Sequence, residues 1–352
     1  MSHLASTDTV LTTVPATFPP AADTRLVDSF GRRLTYLRVS VTDRCNLRCT
    51  YCLPADASFP FGDRDFLSAA EIEGIVGALA RLGIRRVRLT GGEPLLRRDI
   101  LEIARRVKAL PGIEDLALST NGTELERLAP ALKEAGVDRV NISLDSLDPE
   151  TFREITRNGD IEQVWRGVEA ALAAGLHPVK LNAVLLAQSN LEDLDRLVAL
   201  TLDRPLSIRF IEMMPTASNR HLQPAEYISC DAIRARIEKR FGPLEPSGTL
   251  TARTGPAKAF RLSSAQGEVG FITPLSHTFC AECNRLRLTA RGELRLCLFA
   301  DRIYPLRPLL TAADPEAALE AEILRVLQEK PAEHMLTQGN YGNLVSFMQI
   351  GG

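Results

Sequence analysis

No apolar run in this 352-residue chain approaches the roughly 18 residues needed to cross a bilayer, so no membrane span is expected. No sign of charge prevails: Lys plus Arg number 42 and Asp plus Glu 44, a net charge of −2, which excludes the broad basic surface of a general nucleic-acid binder. Any anion site must be local. The first 25 residues lack a basic start and a continuous apolar segment, as a secretory signal would require, and Met1 to about Thr24 contain no Arg, which argues against a mitochondrial transit peptide. We read residues 1–24 as a disordered head and expect a cytoplasmic protein. Neither a GxxxxGK[ST] phosphate loop nor a GxGxxG fingerprint occurs, so a nucleotide would be held by other means.

What is present suits a globular chain. It is 45% hydrophobic and long enough for one large domain and one smaller. Seven cysteines in a reducing compartment are not a disulfide framework, and six fall into two triads. Cys45, Cys49 and Cys52 form C-x3-C-x2-C; Cys280, Cys283 and Cys297 form C-x2-C-x13-C; Cys230 stands alone.

From residue 36 to about 212, short β-rich runs alternate with amphipathic helical stretches, the pattern of repeated βα units around a parallel sheet. Six strands are expected, at about 36–41, 86–90, 115–119, 138–144, 178–185 and 206–211. Six crossovers suit an incomplete (β/α)6 relative of the eight-fold TIM barrel; a flavodoxin-like doubly wound sheet is the alternative. The strands alternate in polarity where buried parallel strands are ordinarily apolar throughout. One parity carries Leu37, Val39, Val87, Leu89, Leu116, Leu118, Val140, Ile142 and Leu181, to face the helices. The other carries Arg38, Ser40, Arg86, Arg88, Thr90, Ser119, Asn121, Asn141, Ser143, Asp145, Lys180, Asn182 and Arg209. A polar, cationic interior implies a solvated cavity for an anionic ligand, although a sheet with one wet face would also alternate.

After Met214 the pattern breaks at the Pro-rich stretch Pro215 to Pro224, which we take as the domain boundary. A helix near 230–240, strands near 258–263 and 268–273, a hairpin around Arg291-Gly292 and helical segments near 315–329 follow. The expected division is a head (1–24), a barrel (25–214), a C-terminal α+β region with the second triad (215–340) and a tail (341–352).

A closed zinc site needs four ligands, and no His accompanies the first triad. Three thiolates suit an iron-sulfur cluster with one open iron, placed here after the first strand, where barrel enzymes carry their chemistry. Zinc with a remote fourth ligand stays open, as does a zinc ribbon at the second triad completed by His277.

Thr42-Asp43-Arg44-Cys45-Asn46-Leu47-Arg48-Cys49-Thr50-Tyr51-Cys52 resembles the cluster loop of the radical S-adenosylmethionine (SAM) enzymes, and Gly91-Gly92-Glu93-Pro94 their GGEP motif. Glycine there is expected to let the backbone approach the methionine amine of SAM. Phe279 to Thr289, then Cys297, then the terminal Gly351-Gly352 narrow the resemblance to the GTP 3′,8-cyclase family, which opens molybdenum-cofactor biosynthesis. The resemblance runs from about Leu37 to the C-terminus.

It implies two 4Fe–4S clusters and a radical SAM lyase that abstracts the ribose 3′ hydrogen of GTP and joins that carbon to guanine C8. Tyr51, Gly92, Ser143 and Met214 match SAM-contacting positions. Arg38, Arg88, Ser119, Lys180, Arg285 and Arg287 match GTP-contacting ones, with Ser119 standing where the family commonly has Thr. Gly351 and Gly352, which alone would read as a frayed end, match a catalytic tail that reaches into the site. The two clusters are expected to face each other across the open side of the barrel. The implied partners are a reducing electron donor and, by hand-off, the downstream cyclic pyranopterin monophosphate synthase, for a monomer or homodimer that binds neither nucleic acid nor membrane. A radical SAM enzyme acting on a peptide, and a non-catalytic zinc or iron-sulfur protein, are the alternatives.

Overall fold

The computed structural model describes residues 24–54, 65–248, 255–336, 339 and 347–349. Apart from Thr24 the expected head lies outside them, as do Gly351 and Gly352.

The six barrel strands are Tyr36–Ser40 (β1), Arg86–Thr90 (β2), Asp115–Thr120 (β3), Arg139–Ser143 (β4), Lys180–Val184 (β5) and Ser207–Ile211 (β6), each within two residues of the expected range. They pair in chain order, all parallel. Helices Ala69–Leu82 (α1), Ile100–Ala109 (α2), Leu125–Glu134 (α3), Pro149–Thr156 (α4), Ile161–Ala173 (α5) and Leu194–Asp203 (α6) form the crossovers and following layer. Side-chain caps mark the starts of three of them: Ser68 and Glu71 close a capping box at α1, Asp148 accepts from Thr151 N–H at α4, and Asp160 from Glu162 N–H at α5. Leu37, Val39, Val87, Leu89, Leu116, Leu118, Val140, Ile142 and Leu181 are fully buried in one apolar core. The chain therefore forms a partial TIM-like barrel.

Beyond β6 come Gln223–Glu226 (α7), Cys230–Phe241 (α8), strands Glu245–Pro246 (β7), Lys258–Arg261 (β8), Glu268–Ile272 (β9), Arg285–Leu288 (β10), Glu293–Arg295 (β11) and Tyr304–Pro305 (β12), and Pro315–Leu327 (α9). Two of these strands join the barrel sheet. β9 lies parallel on β6, with Arg209 opposite Gly270, and β10 lies parallel on β1, with Arg38 opposite Arg287. Antiparallel β8 and β7 extend one edge, β11 and β12 the other, giving the order β12-β11-β10-β1-β2-β3-β4-β5-β6-β9-β8-β7.

Candidate active site

The cysteine loop leaves β1 at its C-terminal end. It is held by backbone bonds to α4, from Arg48 N–H to Thr156 O (3.1 Å) and Thr50 N–H to Ile155 O (2.9 Å). From the corner after α4, Arg157 donates to the carbonyls of Arg48 (2.9 Å) and Leu53 (2.8 Å). The Gly-Gly turn after β2 packs directly beneath this loop: Gly92 N–H donates to Thr42 O (2.8 Å) and Glu93 N–H to Arg44 O (2.6 Å). A Cβ at Gly91 would lie 2.4 Å from Thr42 O, and one at Gly92 2.3 Å from Arg44 O. The glycines are thus demanded by the cluster loop itself, a reason nearer at hand than approach to a ligand. Glu93, fully buried, ties the turn to the end of β3, accepting from Leu95 N–H, Thr120 Oγ1 and Asn121 N–H, and burial pushes its carboxyl up to about 7.

A cavity of about 210 Å³ opens here, lined by Cys45, Cys49, Cys52, Tyr51, Gly92, Ser143 and Met214, and also by Phe347 and Met348 of the tail. Tyr51 donates to Asp145 Oδ2 (2.6 Å), whose other oxygen accepts Val184 N–H (2.8 Å). Burial raises the Asp145 carboxyl to about 6 and, with Asp145 and the neighbouring thiols, holds the Cys49 thiol well above its ordinary value.

A second cavity, about 180 Å³, shares Ser119, Ser143, Asn182, Ile211 and Met214 with the first. It is lined by Cys280, Cys283 and Cys297 and by seven cations, Arg38, Arg88, Arg139, Lys180, Arg209, Arg285 and Arg287, and by no carboxylate among the described residues. Strand register builds this ring: Arg287, Arg38 and Arg88 stand at one level on three adjacent strands. Arg88 donates to Tyr36 Oη and, at 3.0 Å, to Ser119 Oγ. Arg139 is held by Asp115, accounting for the nearest carboxylate. Burial and mutual repulsion lower Arg38 and Arg209 to about 9, and Lys180 well below its usual range. Burial pushes the Cys283 thiol up, but Arg285, Lys330 and Arg287 outweigh it and bring it to about 6.

The structure brings every described candidate metal, SAM and GTP residue to one of these two cavities, and it corrects their arrangement. Because β10 runs parallel to β1 with Arg285 level with Tyr36, Cys283 sits at the N-terminal end of the barrel while Cys45 sits beyond its C-terminal end. The triads face each other along the barrel axis, not across its open side. Arg86 lies outside both cavities. Sequence reading passed over Tyr36 and Arg139, although both share the inward parity of Arg38 and Asn141. His277 does not line the second cavity and instead meets Asp231 on α8 (2.7 Å), so a zinc ribbon completed by it is not formed.

The donor sets suit clusters. All six cysteines are free thiols, and Cys45 Sγ accepts from Leu47 N–H and Asn121 Nδ2. Among the described residues no three His, Cys, Asp or Glu side chains converge on a point for a single ion. Three thiolates with no fourth protein ligand among the described residues suit a cluster with one open iron, so it is the chemistry of the donor set that fits these triads to a multi-iron group.

Residues 39–201 match the Radical SAM superfamily and residues 206–336 the Molybdenum Cofactor Synthesis C family. The GTP 3′,8-cyclase of Moorella thermoacetica is 47% identical over 325 residues, covering 92% of this chain and 99% of that one. The chain belongs to the GTP 3′,8-cyclase family. The family member from Pelotomaculum thermopropionicum is 45% identical over 327 residues, with the same coverage. Streptococcus suis SuiB, solved bound to S-adenosylmethionine, superposes with a TM-score of 0.56 over 87% of this chain and 68% of its own, at 15% identity, and so shares the fold.

Proposed function

We propose that the chain carries out its family's reaction, converting GTP and SAM to (8S)-3′,8-cyclo-7,8-dihydroguanosine 5′-triphosphate, 5′-deoxyadenosine and methionine, the first step of molybdopterin biosynthesis. The observation that carries this reading is the group of seven cations beside the second cysteine triad, of which Arg139 is engaged by Asp115 and whose cavity no carboxylate lines among the described residues. Such a group has little reason to exist unless a polyanion neutralises it. Cys45, Cys49 and Cys52 would hold the first cluster, and Cys280, Cys283 and Cys297 the second. Bound at the first cavity, the cluster and SAM supply a 5′-deoxyadenosyl radical able to take the ribose 3′ hydrogen.

The chain's own work is placement. Tyr51, Gly92, Ser143 and Met214 orient SAM; Arg38, Arg88, Lys180, Arg285 and Arg287 clamp the triphosphate; and Ser119, bonded to Arg88, fixes that guanidinium. The wall shared by the cavities is where the two reacting carbons would meet. Phe347 and Met348 border the first cavity, and Gly351 and Gly352 are assigned the catalytic role of the tail by the family pattern alone. On this reading the functional units are a barrel (25–214), an auxiliary-cluster region (215–340) and a tail (341–352), after a head of 24 residues. The protein works in the cytoplasm as a monomer or homodimer, takes electrons from a reducing donor, binds neither nucleic acid nor membrane, and hands its product to the downstream synthase. Among the described residues no helix is long and apolar enough to cross a membrane.

Electron paramagnetic resonance of the anaerobically reconstituted, reduced protein tests this. Two cluster signals, one shifted by SAM and the other by GTP, with release of 5′-deoxyadenosine, are expected. A single SAM-responsive signal indifferent to GTP would remove the GTP assignment.

A further inference from the structure

Two buried cations beside the second triad bind main chain instead of facing the cavity. Arg32, 8% exposed, lies in a short hairpin closed by the Val27 to Arg33 bridge. Asp28 Oδ1 accepts the N–H groups of Phe30 (3.0 Å) and Arg32 (2.9 Å), and Oδ2 accepts Arg32 Nε (2.6 Å). With one edge so anchored, the guanidinium donates from Nη1 to Cys280 O (2.9 Å) and Ala332 O (2.7 Å), and from Nη2 to Pro331 O (2.6 Å). The adjoining Lys330 donates to Arg285 O (3.2 Å) and to Leu296 O, next to Cys297. Beyond this tethered stretch, His334 borders the second cavity and bonds Pro274 O (3.0 Å). The same chain then continues to Phe347 and Met348 at the first cavity.

Neither Arg32 nor Lys330 lines either of these two cavities, so neither is placed to touch substrate there. A planar fork is required at Arg32, because one side chain must reach a carboxylate and three carbonyls in fixed directions; an ammonium on a flexible stem cannot. We propose that Arg32 is a positioning residue for the second cluster, fixing the backbone of Cys280 against the segment from which the tail departs. This rests on the reading of Cys280, Cys283 and Cys297 as that cluster's ligands.

The test uses full-length, anaerobically reconstituted protein, comparing wild type with Arg32→Gln and Arg32→Lys. Iron and acid-labile sulfide in Arg32→Gln should fall from about eight toward about four per chain, as for loss of one 4Fe–4S cluster of two. The GTP-responsive resonance should vanish while the SAM-responsive one persists, and Arg32→Lys should recover only part of it. Should Arg32→Gln not be recovered folded, Asp28→Asn frees the same guanidinium from its anchor, and the GTP-responsive signal should weaken selectively. A folded Arg32→Gln, or Asp28→Asn in its place, with both signals and the GTP-induced shift unchanged would overturn the inference. Absence of a GTP-responsive signal in the wild type would overturn the reading of the triad, and this inference with it.

Discussion

Replacing Lys180 by Met should make the GTP-free protein more stable and GTP binding weaker, opposite signs from one substitution. Lys180 is 1% exposed and faces Arg209, Arg139 and Arg88; the nearby Asp115 is already engaged by Arg139. Met has similar length and no charge, so the exchange removes desolvation and repulsion without opening a void. Replacing buried charges by apolar groups of like volume stabilises proteins by about 1–4 kcal/mol. At about 2 °C per kcal/mol for a chain of this size, melting should rise by roughly 2–8 °C. Loss of one cation from a desolvated charge pair costs about 2–5 kcal/mol, or roughly 30-fold to 4,000-fold in GTP affinity. The pH dependence carries the same signature. With its folded pKa held below its unfolded value, Lys180 binds its proton more readily in the unfolded chain, so wild-type stability gains as pH rises toward about 10.4, and the Met variant lacks that gain. Thermal melts and calorimetric GTP titrations read both effects. A Met variant that melts below wild type, or binds GTP equally well, would refute the argument.

Gly92→Ala should strip the first cluster alone, because its Cβ would lie 2.6 Å from the Arg44 carbonyl carbon and 2.8 Å from Asp43 O, an overpacking of about 1–3 kcal/mol set against the loop; separate SAM and GTP resonances report it. Asp145 has its folded pKa raised to about 6, so its burial costs stability increasingly as pH climbs from about 4 to 6, and a carboxylate then faces the first cavity. SAM affinity should accordingly rise through that range in wild type and stay flat in Asp145→Asn. Arg287→Ala should weaken GTP binding at least tenfold, a charge-assisted hydrogen bond being worth about 1.5–3 kcal/mol, while iron content is unchanged. Cys230 is buried at the start of α8, with its Sγ 3.7 Å from Phe210 O and 3.6 Å from Ile272 O, and burial and Glu212 push its thiol up to about 12. Cys230→Ala should keep all iron and turnover and lose about 1 kcal/mol in a melt.

Alternation along each strand made the barrel and its inward cations legible, because a period of two assigns faces without knowledge of partners. Tyr36 and Arg139 were equally available by that rule, being in phase with Arg38 and Asn141. What alternation cannot supply is pairing between distant segments. Nothing local in Arg285 to Leu288 says that it will lie parallel on β1, and that pairing alone sends the second triad to the far end of the barrel. The Gly-Gly turn was legible as a motif but not in its cause, since the contact it must permit comes from residues nearly fifty positions earlier. Cys230 gave no sign of its surroundings, which two remote carbonyls define.

The pairing of β9 on β6 and β10 on β1 also sets a timetable for synthesis. When β6 emerges from the ribosome, all six barrel strands exist, yet both outer edges of their sheet still expose unpaired backbone groups. The strand that covers β1 ends about 77 residues later, at Leu288 against Ile211, which at 5–20 residues per second is roughly 4–15 s of translation. The nascent sheet is open to other chains at two sides until β9 emerges to cover β6, and at the β1 side until β10 follows. Truncated transcripts, slow codons in this stretch or premature termination after the barrel should therefore yield aggregates before they yield inactive enzyme.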